Sequence, residues 1–92
     1  MTQQIAFHAR ITGRVQGVAF RAWVQAEAEG RGLAGWVRNE ADGAVTALIE
    51  GPPDAVREML DALHQGPDRA RVERVETVPT EPEGLKGFAI QR

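Results

Sequence analysis

The amino-acid sequence predicts an α+β fold: a mixed sheet with two helices on one face, in the order β-α-β-β-α-β, and a further short strand at the end. Three observations carry this reading. Ile5, Phe7, Ala9 and Ile11 alternate with Ala6, His8, Arg10 and Thr12, the period of a half-buried strand. Two later stretches repeat apolar residues at helical spacing. Asp42-Gly43 is a strong hairpin signal between two more strands. The chain has 92 residues, well short of about 150 per domain, so residues 1–92 are expected to form a single domain.

The elements follow in order. Gly13 breaks the first strand, and Arg14-Val15-Gln16-Gly17 reads as a loop. From about Ala19 the spacing turns helical, with Phe20, Trp23, Val24 and Ala28 on one face, until Gly30 and Gly32 stop it. A second strand runs from Leu33 to about Asn39, and Val45, Ala47 and Ile49 alternate as a third. Gly51-Pro52-Pro53-Asp54 opens a second helix, where proline suits the first turn and the Asp54 carboxylate complements the dipole. Val56, Met59, Leu60 and Leu63 form its apolar stripe, and Gly66-Pro67 ends it. A fourth strand covers roughly Arg71 to Val78; Val72, Val75 and Val78 do not alternate, so a bulge or twisted edge is expected. Pro79 to Gly87 is a loop, and Phe88-Ala89-Ile90 the closing strand. Strands one and two, joined through a helix, should lie parallel with strand three between them. The sheet face without helices is expected to be open to water, which suits His8, Arg10 and Thr12.

Composition excludes several classes of function. Hydrophobic residues make up 42% and charged residues 26% of the chain, a globular balance. There is no cysteine, so neither disulfides nor a thiolate zinc site can support the small core. Eleven basic residues face thirteen acidic ones, a net charge of −2 that argues against a generic nucleic-acid or anionic-membrane binder. No apolar run approaches the ~18 residues of a membrane span, and Met1-Thr2-Gln3-Gln4 has no signal-peptide character. A soluble, cytoplasmic monomer is expected.

The carboxyl ends of the parallel strands one and two should lie on one side of the sheet, about 10 Å apart, where ligands of open α/β sheets bind. The segment Gly13–Arg21 is a glycine-containing loop that runs into a helix N-terminus there, and its successive N–H groups make an anion site fit for phosphate. The alternative is a tight turn that needs glycine for its backbone angles. Arg21 adds weight to the phosphate reading, because a cation in a first helical turn faces the wrong end of the dipole. Its alternative is a side chain reaching into water. Asn39 ends a strand in which asparagine fits poorly, but spacing alone favours a role in the hairpin turn. His8 and His64 lie in no metal-ligand spacing, and no Walker loop or paired carboxylates accompany the glycine loop. Such a site can supply only positioning and electrostatics. These would suffice for an activated phosphate whose leaving group departs unaided, such as a mixed carboxylic–phosphoric anhydride.

At these residues the sequence resembles the acylphosphatase family. Gly13-Arg14-Val15-Gln16-Gly17-Val18-Ala19-Phe20-Arg21 meets its first motif, G-x-V-Q-G-V-x-[FY]-R. Gly35-Trp36-Val37-Arg38-Asn39, followed by Gly43, Val45 and Gly51, meets its second. The resemblance covers nearly the whole chain. It implies a ferredoxin-like α/β sandwich that hydrolyses acyl phosphates to carboxylate and inorganic phosphate, without metal or cofactor. Inorganic phosphate is expected to occupy the Gln16–Arg21 loop and inhibit, because the N–H groups and Arg21 recognise the oxyanion. It places the catalytic arginine at Arg21, the water-orienting asparagine at Asn39, and the phosphate cradle on the backbone of Gln16, Gly17, Val18, Ala19 and Phe20. One departure is visible. Where the family has A-x-x-L-G-L, this chain reads Ala28-Glu29-Gly30-Arg31-Gly32-Leu33, which should weaken the end of the first helix.

Two other functions compete. A non-catalytic module binding phosphate or carbamoyl phosphate within a larger assembly would keep the loop without useful turnover. Single-stranded RNA binding would use the same element order, but it needs exposed aromatics and a basic face. Aromatics are 5%, tyrosine is absent and the third strand has no aromatic residue. No nucleic-acid or membrane partner is expected.

Overall fold

The computed structural model describes residues 3–92; Met1 and Thr2, which open the stretch judged to lack signal-peptide character, lie outside it. The chain forms β1 (Ile5–Arg14), α1 (Phe20–Gly30), β2 (Ala34–Asn39), β3 (Val45–Gly51), α2 (Pro53–Leu63), β4 (Arg71–Thr80) and β5 (Phe88–Gln91). The sheet order is β4-β1-β3-β2-β5. β3 is antiparallel to both β1 and β2, which are therefore parallel to each other, as the split β-α-β order requires. Among the described residues no helix is long and apolar enough to cross a membrane.

The core lies between the helices and one face of the sheet. Ile11, Phe20, Val24, Val37, Ile49 and Met59 are its fully buried anchors. Each such side chain contributes roughly 1.5–3 kcal/mol when fully withdrawn from water. α2 buries Val56, Met59 and Leu63, the stripe read from its spacing.

Element ends differ from the sequence reading for local reasons. α1 begins at Phe20 because Ala19 is its N-cap and takes a left-handed φ of 62°. β2 begins at Ala34 because Leu33 is used to close α1: its N–H donates to Ala28 O at 2.9 Å while Gly32 N–H donates to Glu29 O at 3.1 Å. These two bonds close the helix end. Arg31 also places a cation at the negative end of the dipole. It bonds Glu27 at 2.9 Å and approaches Glu58 of α2 at 3.6 Å. β4 runs past Val78 to Thr80, tolerating Pro79 because it is an edge strand. The closing strand β5 extends to Gln91 and pairs parallel with β2.

The expected bulge is present. Thr12 faces Arg74 but Gly13 faces Val72, which leaves Glu73 as the extra residue and turns both Val72 and Val75 toward the core. Gly13 is needed there, since a Cβ would lie 2.2 Å from the Arg71 carbonyl oxygen.

The face opposite the helices is less open than expected. Every residue of β3 is buried. His8 and Trp36 both register on Leu48, and their rings meet edge to face at 5.9 Å. The Glu50 carboxylate accepts the N–H groups of Glu83, Gly84 and Leu85 at 2.7, 2.9 and 3.0 Å, which lays the β4–β5 loop across the sheet. Replacing Glu50 by alanine removes a charged acceptor from three donors. A loss of about 1.5–3 kcal/mol is expected, read as a fall of several degrees in the thermal midpoint. An unchanged midpoint would show that the loop holds its place without Glu50.

Candidate active site

β1 and β2 deliver their carboxyl ends to the same end of the sheet. The loop from Val15 to Ala19 leaves β1 there and is pinned to the core at both ends, by Val15 and Phe20, each 1% exposed. Between these anchors Gly17 (φ 75°) and Ala19 (φ 62°) adopt positive φ. A non-glycine residue held there stores on the order of 1 kcal/mol or more, which the surrounding structure must impose. The N-terminus of α1 carries no side-chain cap and no acidic residue in its first turn. Consequently the backbone N–H groups from Gln16 through Ala22 find no acceptor among the described residues. Seven successive donors at the positive end of a helix dipole suit an anion.

Five of the residues singled out in the sequence, Gly17, Ala19, Phe20, Arg21 and Asn39, line one cleft of about 300 Å³. Ile90 and Arg92 from the C-terminal end complete one side of it. Gln16 and Val18 belong to the same loop but are not among the lining residues. Arg21 is held by Gln91, whose carbonyl oxygen accepts from Nη1 at 3.3 Å. Gln25, one turn further along α1, donates to Phe88 O at 2.9 Å, so β5 fixes the helix that presents Arg21.

Asn39 does not serve the hairpin. Glu40 N–H donates to Ala44 O, and Ala44 N–H donates to the Asp42 carboxylate at 3.1 Å, so the turn is closed without it. Its Oδ1 is shielded from solvent and has no hydrogen-bond partner among the described residues. Leaving a buried acceptor unmade costs about 1–3 kcal/mol, and Asn39 is one of the residues that line the cleft with Arg21.

The Gln16 side chain was not anticipated. Its Nε2 donates to Glu40 O at 2.8 Å and Ala44 O at 2.9 Å, joining the loop to the β2–β3 turn. The outer side of that turn is braced by charge. Glu40 accepts from Arg38 at 2.7 Å and from the Thr46 hydroxyl, and Arg10 pairs with Asp42. The Arg38 guanidinium stacks 4.7 Å over the Trp36 ring. The hydrogen bond from Arg38, then that from Thr46, lowers the Glu40 carboxyl below its ordinary value; Arg10 does the same for Asp42. A depressed carboxyl stabilises the fold fully above its unfolded value of about 4, and that stabilisation is lost as pH falls through the lower folded value. Asp42→Asn should therefore narrow the gap in thermal midpoint between pH 5 and pH 2.5, a small effect because the pair is exposed. An identical gap in both proteins would remove Asp42 from the acid response.

The two histidines lie apart, His8 against Trp36 and His64 capping α2. Among the described residues no group of three or more His, Cys, Asp or Glu side chains is placed to hold a metal ion.

The sequence profile described as Acylphosphatase matches residues 7–90. An acylphosphatase of Thermococcus kodakarensis is 51% identical over 88 residues, which cover 96% of this chain and 97% of the relative. One from Natronomonas pharaonis is 46% identical over 92 residues, 100% of both chains. The crystal structure of acylphosphatase from Bacillus subtilis superposes with a TM-score of 0.93 at 38% identity, covering 96% of this chain and 99% of that one. The shared architecture is the ferredoxin-like sandwich, two helices on a mixed sheet.

Proposed function

Because this chain belongs to the acylphosphatase family, we propose that it uses Arg21 and Asn39 as catalytic side chains in direct attack of water on the phosphorus of an acyl phosphate. The activity, conversion of an acyl phosphate to a carboxylate and inorganic phosphate, is that of its family. The backbone N–H groups of Gln16, Gly17, Val18, Ala19 and Phe20 form the cradle in this reading, and residues 1–92 are taken as one catalytic domain. The observation that carries it is a run of donors without acceptors among the described residues, leading into one cleft lined by Arg21 and Asn39.

The chemistry follows from what these groups can offer. The phosphoryl dianion is met by the Arg21 fork and the N–H groups, which are organised before substrate arrives. The Asn39 side-chain amide, on a residue that lines the cleft, orients a water so that the water's lone pair faces phosphorus. As the new P–O bond forms, the bond to the acyl oxygen breaks and its electron pair leaves on a carboxylate. That group is stable at neutral pH, with a conjugate acid near pKa 4, so no general acid is required. The displaced water proton passes to solvent or to phosphate.

The binding-module alternative is not favoured, because the acylphosphatases of Thermococcus kodakarensis and Natronomonas pharaonis are matched over 97% and 100% of their own lengths. We also read the enzyme as cytoplasmic and monomeric. The chain has no cysteine, and both sheet edges are blunted, β4 by Pro79 and alternating charge, β5 by its length of four residues.

Turnover of benzoyl phosphate with excess EDTA is the test. Undiminished hydrolysis is expected, with inorganic phosphate inhibiting competitively because the cradle grips the phosphoryl group. Activity lost to EDTA and restored by a divalent ion would overturn the metal-free chemistry.

A further inference from the structure

The phosphate loop and Asn39 belong to strands that are not neighbours. β1 and β2 are each hydrogen-bonded to β3 and not to each other, so the ladder fixes their separation only through β3. β3 begins at Val45, and beyond its end the ladder offers nothing to hold the loop against the residue that finishes β2. The Gln16 side chain spans that end. Its two amide hydrogens go to two carbonyls, that of Glu40, which directly follows Asn39, and that of Ala44, which closes the same turn. The bonds measure 2.8 and 2.9 Å, near the ideal for this donor. The charged pairs on the turn, Arg38 with Glu40 and Arg10 with Asp42, brace its outer side. Among the described residues no other side-chain hydrogen bond joins the loop to the turn.

We propose that Gln16, beyond any part its backbone plays in the cradle, is a positioning residue: its side chain sets the place of Asn39 relative to the bound phosphoryl group. The inference rests on the reading of Arg21 and Asn39 given above. An attacking water must stand in line with the breaking bond, and a misplacement of about 1 Å can cost on the order of 10²-fold in rate. With the tether cut, the cradle keeps its donors and Arg21 its charge, so phosphate affinity survives while alignment is lost.

The experiment is a double-mutant cycle on benzoyl phosphate. Gln16→Met preserves length and removes both donors. It should lower kcat by about 10- to 100-fold, with KM and phosphate inhibition changed by no more than about twofold. In an Asn39→Ala background, Gln16→Met should lower kcat by less than about twofold further, because the group it positions is already gone. Equal losses in both backgrounds would sink the proposal, as would weakened phosphate inhibition with kcat intact. If Gln16→Met does not fold by circular dichroism, Gln16→Asn takes its place; it keeps the amide one methylene too short, and the same coupling is expected. Failure of both to fold would assign Gln16 to stability and overturn the positioning role. Wild-type turnover separates the two readings, since an active enzyme without coupling refutes only this inference.

Discussion

Arg21→Ala is expected to lower kcat by about 10²–10³-fold, to raise KM, and to weaken inhibition by inorganic phosphate in parallel. The parallel follows from where the charge sits. The substrate and product phosphates are dianions in the ground state, and the guanidinium at the cleft meets that charge before, during and after the displacement. The remaining N–H donors still offer a cradle, so binding should weaken without vanishing. The fold should survive, because Arg21 is only half-buried and, among the described residues, its side chain bonds only the Gln91 carbonyl, at 3.3 Å. Steady-state kinetics with circular dichroism as folding control decides the matter. An Arg21→Ala protein with normal phosphate inhibition would put the phosphate elsewhere.

Asn39→Ala should fall on kcat alone, by a comparable 10²–10³-fold, leaving phosphate inhibition close to that of the wild type. An amide has no net charge to offer the ground-state dianion. Asn39 lines the cleft, and the role proposed for it is to orient a water that matters only as the new bond forms. The substitution should also be benign for stability, and could raise it, because it removes a buried acceptor whose hydrogen bond the fold does not make. A well-folded Asn39→Ala enzyme with near-normal kcat would contradict its catalytic role.

Much of the fold was legible because its signals are local. Alternation in residues 5–12, the stripe Val56-Met59-Leu63 and the Asp42-Gly43 turn each encode an element within a few residues of themselves. The irregular spacing of Val72 and Val75 announced a bulge for the same reason: two core-facing residues three apart need one extra between them. What stayed hidden is long-range. Nothing in the sequence near Gln16 marks it as reaching residues 24 and 28 positions away, and nothing near Glu50 marks it as the anchor of residues 83–85. Both read as ordinary polar residues until the topology brings their acceptors and donors to them. The site was legible in the same uneven way. Arg21 breaks a local rule, a cation in a first helical turn, and so draws notice; Asn39 breaks none that a hairpin would not excuse. Only the geometry bears on Asn39, because Asp42 and Gln16 satisfy the turn and leave its oxygen unpaired among the described residues.

Direct attack of water on phosphorus is best tested by following isotope in a single turnover. Benzoyl phosphate hydrolysed by the enzyme in water enriched in oxygen-18 should yield labelled inorganic phosphate and unlabelled benzoate, because the water beside Asn39 attacks the phosphorus held by the loop. Label in the benzoate would place the attack on the carbonyl carbon and contradict the roles given to the loop, Arg21 and Asn39.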